Sequence, residues 1–547
     1  MKKNILFTLL TFLSFSVYTQ TTLFNSLLQT HVSQNGNVDY KSFKKDEAKL
    51  DKYLNYLATT SPKKSYSAAK IKAFWDNKTA LILSSIYLIT ILGLANTSNF
   101  EFALDDLRRK LPLFFIPFYV AGFSPITKKE LHLLLKIFIV GVLISSLWSL
   151  FVYLGGLNIT IVDKRYLSRF NSHIRFGLAI ALAIFFSLYY FIGSKTYKAK
   201  LTWLAIAFWL TASLFIFSFF TGLAVFVTTG LILLLVFGIR NKKKIIKYLS
   251  FGLFIGVCCF SFWFINTSIS DFKTSIVPKT IEEKLFSKAG NKYQNDEYTQ
   301  NSTLKENGYF IEKHIAWGEF QEAWNARSAI KFKEKDLRGQ QIKNTLMRFV
   351  TSKGQRKDKE AIDQLSDKEV HAIENGIANY KYLEMNPLRV RAHKILWEYN
   401  DFIASGNLNG HSVLMRWEYW KTAYRIIKQS PIFGVGTGDV QDSFNKQYNI
   451  DNSTLLKKYR LRTHNQYLAY FVSFGLIGFL LFIFSLFYAL LKLKSYKNYL
   501  YLAFFSIVFL SMIWEDTLEV QAGINFFAFF NTILLLKSKK PELKNEK

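Results

Sequence analysis

The chain has little cysteine. Two residues, Cys258 and Cys259, stand side by side inside an apolar run of the 547-residue sequence. They offer neither a disulfide framework nor a zinc-ligand spacing. Acid is also scarce: 39 Asp and Glu face 70 Lys and Arg, a formal net charge of +31. On a soluble chain that balance would point to nucleic acid. Here many lysines sit in short connections between apolar runs, the positive-inside pattern of membrane proteins, so no nucleic-acid partner is expected. The glycine-rich stretch "SPIFGVGTGD" lacks the Lys-Ser/Thr of a P-loop. The apolar runs hold few charges, whereas transport pathways usually carry them.

What the chain has is hydrophobic surface. Half its residues are hydrophobic and 17% are aromatic, with 53 Phe and 29 Tyr. The apolar runs approach 20 residues, enough to span the hydrocarbon core. They are continuous rather than alternating, so they read as helices. Candidate spans are 80–96, 111–125, 132–155, 174–193, 201–218, 220–239, 247–268, 466–492, 499–514 and 518–537. One run of about 40 residues is divided near Thr221-Gly222, because an unbroken helix would be about 60 Å long. The run 111–125 is short and contains proline, so a tilted, kinked or re-entrant segment is expected. Asp105-Asp106 reads as a solvated helix-end feature.

The expected fold is therefore all-α. About seven spans fill 80–268, three fill 466–537, and a mostly helical polar domain of 269–465 lies between them. Within that domain "HIAWGEFQEAWNA", "DKEVHAIENGIANYKYLE" and "VLMRWEYWKTAYRIIKQ" read as amphipathic helices. Their Trp and Tyr suit a domain resting on a membrane surface. The basic loops 127–130, 194–200, 241–247 and 492–498 and the tail 538–547 are expected in the cytoplasm. Alternation then puts 156–173 and 269–465 on the outer face.

The N-terminus conflicts with this scheme. Residues 1–20 resemble an export signal, which would carry 21–79 outward. The span 80–96 instead needs a cytoplasmic start. A junction near Trp75 is expected, from gene fusion or an error of sequence assembly.

Three basic positions stand at the outer membrane face: Arg175 in "NSHIRF", Arg416 in "GHSVLMRWEYW" and His464 in "RLRTHNQYL". Each alone has a plain reading. A terminal arginine snorkels to head groups, and an interfacial histidine is often just a satisfied polar group. Gly434, Gly436 and Gly438 permit a tight turn. Together the set says more. Arginine clamps phosphate oxygens bidentately, and histidine accepts a proton near neutral pH. Beside lipid, such a set suits a substrate with a lipid tail and a phosphate head.

The series "RWEYWKTAYRIIKQSPIFGVGTGD…RTHNQYLAYFVSFGLIGF" resembles the O-antigen ligase/polymerase family. "SHIRFGL", "QEAWNARSAI", "GQQIKNTLMRFVTSKGQRKD" and "EDTLEVQAGINFFAFF" are similar to a Bacteroidetes-type branch of it, over about 77–537. Residues 1–75 resemble instead, through "HVSQNGNVDYKSF" and "KIKAFW", the start of an exported bacterial family of uncharacterised function. The ligase resemblance implies a GT-C-type glycosyltransferase of the bacterial inner membrane with its large loop in the periplasm. It implies a glycan donor on undecaprenyl pyrophosphate and an acceptor such as lipid A-core. Arg175 and Arg416 would hold the pyrophosphate and His464 would activate the acceptor hydroxyl. Asn465, Arg462, Gly434, Gly436 and Gly438 would support them. Neither cofactor nor metal is implied, and no Asp-x-Asp cluster stands at an outer loop. O-antigen ligation is the leading expectation. A surface-polysaccharide polymerase and a protein O-glycan ligase would need the same clamp and base. A polysaccharide flippase is the reading from a different class.

Overall fold

The computed structural model describes residues 29–31, 39–51, 64–122, 126–157, 164–294 and 304–536. The signal-like residues 1–20 and the tail 538–547 lie outside these. The chain forms two compact units, Met1–Asp76 and Asn77–Lys547. Helices Tyr40–Lys45 and Lys64–Trp75 belong to the first. The boundary adjoins Trp75, where the sequence reads a junction.

The second unit opens with α1 (Lys78–Leu92), α2 (Phe100–Lys110), α3 (Pro112–Gly122), α4 (Lys128–Tyr153), α5 (His173–Gly193), α6 (Tyr197–Ile216), α7 (Phe220–Arg240) and α8 (Lys244–Ser275). A polar region follows. It holds a short antiparallel hairpin, β1 (Lys305–Glu306) and β2 (Tyr309–Phe310), then α9 (Trp317–Arg327), α10 (Ile342–Ser352), α11 (Lys359–Asp363), α12 (Asp367–Glu374), α13 (Pro387–Ser405), α14 (Ser412–Gln429) and α15 (Val440–Ile450). The last described elements are α16 (Gln466–Leu491), α17 (Tyr499–Trp514) and α18 (Gln521–Leu535).

Seven helices are long and apolar enough to cross a bilayer: α1 with its extension to Asn96, α4 to α8, and α16. Helices α17 and α18 are shorter but equally apolar. The chain is an all-α, polytopic membrane protein. Helix starts follow local rules. Thr127 and Glu130 form a capping box at α4, and Ser172 and Thr196 cap α5 and α6 through their hydroxyls. Helix α3 has 11 residues with Pro117 inside. At 1.5 Å per residue it covers about 16 Å, half the hydrocarbon thickness.

The long run breaks earlier than expected. Helix α6 ends at Ile216, and Ser218 takes a left-handed φ of 56° before α7 begins at Phe220. Gly222 lies inside α7 instead. A Cβ there would come within 2.7 Å of the Gly177 Cα on α5. Glycine at 222 thus serves a close helix crossing, not a turn. Helix α5 is the central one: 61% of its apolar stretch is buried, against 6% for α8, which is left facing lipid. Phenylalanines fill the bundle core, with Phe138 and Phe530 ring centroids 4.8 Å apart.

The polar region has two cores of its own. One gathers Phe320, Trp324, Leu346 and Phe349 from α9 and α10 with Trp397 of α13. Trp324 is fully buried, and its Nε1 donates to the Ile330 carbonyl at 2.9 Å. The other joins Tyr419 and Ala423 of α14 to Phe444 and Tyr448 of α15 and Val472 of α16. This second core fixes α14 against the head of α16. The three amphipathic segments read from the sequence form α9, α12 with the turn after it, and α14.

Candidate functional site

Arg175 stands in the first turn of α5. Its backbone N–H and its Nη1 both reach Ser172 Oγ at 3.3 Å, so the helix cap also steers the guanidinium. Arg175 lines a cavity of about 550 Å³, counting its open mouth, between α5, α17 and α18. Glu515 and Ser511 line it beside Ile507, Val508 and Phe526. One end is charged and the rest is apolar, as a site at the edge of a bilayer would be.

Arg416 reaches the same place from the polar region. Its Nη2 meets Glu515 Oε1 at 3.2 Å, and its Nη1 donates to the Ser412 carbonyl at 3.0 Å. Its Nε is buried with no hydrogen-bond partner among the described residues. Glu515 is the meeting point. Burial raises its carboxyl above the ordinary carboxylate range, while His464, Arg416 and Arg175 pull the other way. Of the three basic residues chosen from the sequence, Arg416 contacts Glu515 directly, Arg175 lines the same cavity, and His464 acts on the carboxylate through its charge.

His464 immediately precedes Asn465, the N-cap of α16. Its φ is +46°, a left-handed conformation uncommon outside glycine. Its neighbours hold it there. Trp420 Nε1 donates to the Thr463 carbonyl at 3.0 Å, and Thr463 Oγ1 lies 3.2 Å from Asp516 Oδ1. Asn465 Oδ1 accepts from the Leu468 N–H at 3.0 Å, capping α16, and its Nδ2 donates to the Ile513 carbonyl at 3.0 Å. Asn465 is thus a positioning residue. The His464 ring lies 5.7 Å from that of Tyr419, and no described group hydrogen-bonds its nitrogens.

Beneath these residues lies a buried ionic cluster. Lys110 Nζ is 2.8 Å from Asp106 Oδ2 and 3.0 Å from Glu519 Oε2. Asp106 is 3% exposed, so the expectation of a solvated Asp105-Asp106 pair fails at Asp106. Only Asp105 faces water, because α2 turns its other face onto the bundle. Glu519 also accepts from Gln466 Nε2 at 3.0 Å. Arg462 Nη1 lies 3.8 Å from Glu519, and its guanidinium sits 5.9 Å from the Phe102 ring centroid. Arg462 therefore belongs to this cluster. Burial opposes the Glu519 charge, but Lys110 and Arg462 outweigh it and hold the pKa down at about 2. Burial raises the Asp516 carboxyl, against His464 and Arg462.

The glycine loop does not face the cavity. The Val435 and Gly436 N–H groups donate to the Val472 and Ser473 carbonyls at 2.9 and 2.8 Å. These bonds sit beside Gly475, where α16 breaks with φ 62° and ψ −164°. The Thr437 N–H donates to the Gly93 carbonyl and the Gly438 N–H to Thr97 Oγ1. The Gly434 N–H bonds the Ser430 carbonyl, so the amides from 434 to 438 are all occupied. The loop is a clasp between α1 and the kink of α16, not an anion cradle. Gly436 has φ +92°, and a Cβ there would fall 2.2 Å from the Asn96 carbonyl oxygen. Gly436→Ala is expected to destabilise the bundle by about 1–3 kcal/mol or more, read as a lower melting temperature in detergent. A melting curve matching wild type would show the clasp to be slack.

Fold and site together define a class: a polytopic membrane protein with a largely apolar cavity whose charged end holds Arg175 and Glu515. Residues 372–483 match the family model described as O-antigen ligase, which supports assigning the chain to the O-antigen ligase/polymerase family. The match contains Arg416, the glycine loop and His464. No curated protein matches the chain.

Proposed function

We propose that the chain is a GT-C-type glycosyltransferase of a bacterial inner membrane, working at the periplasmic face. It moves a glycan from undecaprenyl pyrophosphate to an acceptor hydroxyl, most simply that of lipid A-core. The observation that carries this reading is the Arg416–Glu515 contact at 3.2 Å at the charged end of a cavity that Arg175 also lines, with His464 acting on the same carboxylate. The guanidinium groups meet the pyrophosphate, and the lipid tail leaves between α5, α17 and α18. Glu515 holds Arg416 in place until the donor arrives. The acceptor oxygen attacks the anomeric carbon while His464 takes its proton. The carbon–oxygen bond to the pyrophosphate breaks, and the electron pair leaves with the phosphate. Fixed guanidinium groups stabilise that charge in a poorly hydrated site. Back-side attack inverts the anomeric centre. Glu515 is paired with Arg416, and both Asp106 and Glu519 with Lys110, which suits a metal-independent reaction.

A polymerase or a protein O-glycan ligase would use the same groups. Glycan analysis of a deletion strain separates them. Unligated lipid-linked polymer indicates a ligase, and single lipid-linked repeats indicate a polymerase. Unchanged surface glycan would overturn the reading. Arg175→Lys and Arg416→Lys should each lower transfer by about tenfold or more, because an ammonium cannot reproduce the bidentate fork. Full turnover by both variants at saturating donor would reduce the arginines to membrane anchors.

A further inference from the structure

A second cleft lies in the polar region, walled by α10, α13 and the residues just before α14. Its cavity volume is about 350 Å³, at the small end of the range for small-molecule sites. Its chemistry is unusual for a surface dent. The side-chain amides of Gln340 and Asn344 line it and bond to no described protein group. Glu312 also lines it, and its Oε2 is buried without a partner. His411 Nε2 meets Asp401 Oδ2 at 2.8 Å, which leaves Nδ1 free. Ile311 and Met347 add apolar surface.

The geometry points to a carbohydrate-binding subsite in this cleft, holding sugars that neighbour the reacting end. Amides and carboxylates bind adjacent hydroxyls in pairs, and apolar side chains receive the C–H faces of the ring. An anion site would not present two carboxylates. Of its two cations, Arg348 is already paired with Glu306 at 2.5 Å, and Lys343 lays its ammonium over the Trp317 ring, 4.0 Å from the centroid. The cleft also shares an element with Arg416: His411, which lines it, is the residue before α14, five positions and about 7.5 Å of helix rise from Arg416. The sugars could come from the donor or the acceptor, and that assignment rests on the transferase reading above.

Two probes test the subsite on the purified full chain by calorimetric titration. One is the repeat-unit oligosaccharide freed from its lipid carrier by mild acid. The other is the core oligosaccharide freed from lipid A. At least one should bind, and the one that does identifies the source. The Gln340→Ala/Asn344→Ala variant should bind it about tenfold more weakly, the loss of one or two hydrogen bonds. Both side chains are exposed and unbonded to protein, so the fold should stand. Binding of neither probe, or equal binding by variant and wild type, overturns the inference. A chain that binds sugar but transfers none would keep the subsite and remove the transferase reading. One that transfers but binds neither probe would do the reverse.

Discussion

His464→Ala is expected to abolish glycan transfer while the protein still inserts. A positioned general base contributes typically about 10²–10⁴-fold, enough to erase the polymer ladder of a surface-polysaccharide gel. The structure gives two reasons to expect a loss of chemistry rather than of fold. The His464 ring makes no hydrogen bond to a described group, so alanine leaves no partner unsatisfied. The α16 cap is supplied by Asn465, and the loop is held by Trp420 and Asp516, none of which is changed. Some strain remains, because alanine must also adopt φ +46°. His464→Asn, which tolerates that conformation, separates the two effects. Both variants should melt near wild type and both should be inactive. A wild-type ladder from either removes His464 from the mechanism.

The three basic residues could be picked from the sequence because Arg175 and His464 stand at the heads of apolar runs, where a charge is costly to place, and Arg416 stands in a Trp-rich amphipathic helix. Glu515, Asp516 and Glu519 could not be picked as their neighbours. They occupy the short polar gap between two apolar runs, where charges normally mark a turn in water. In the structure α17 stops at Trp514 and α18 starts at Gln521, and the gap folds inward. Lys110 was hidden by its neighbours: among Arg108 and Arg109 it reads as one more solvated cation. Its partner Glu519 lies 409 residues away, a pairing that no local period reveals. The glycine loop was read correctly as a turn. Its purpose was missed because 466–492 reads as one unbroken apolar helix, with no mark of the break at Gly475 that the loop clasps.

Lys110→Met should destabilise the bundle by about 3–5 kcal/mol, the usual cost of removing one partner from a buried ionic pair. Methionine fits the volume, so the loss is electrostatic. It leaves Asp106 with Arg109 at 3.2 Å and Glu519 with only Arg462 at 3.8 Å. The pH dependence identifies the cause. In wild type the Glu519 pKa is lowered from 4.5 to about 2, so its contribution is complete above about pH 4.5 and fades as pH falls toward 2. In the variant the buried carboxylates lack their main cation, so protonating them relieves the fault. The melting-temperature gap between wild type and Lys110→Met should therefore be largest near neutrality and narrow on acidification below about pH 4.5. A gap that stays constant with pH would mean that Lys110 acts through packing. Transfer should fall along with stability. Glu519 holds Gln466, whose N–H₂ bond anchors the start of α16 two residues from His464. Glu519 also ends the turn that begins at Glu515, so loosening the cluster should move Glu515 with its partner Arg416 and the start of α16 beside His464 at once.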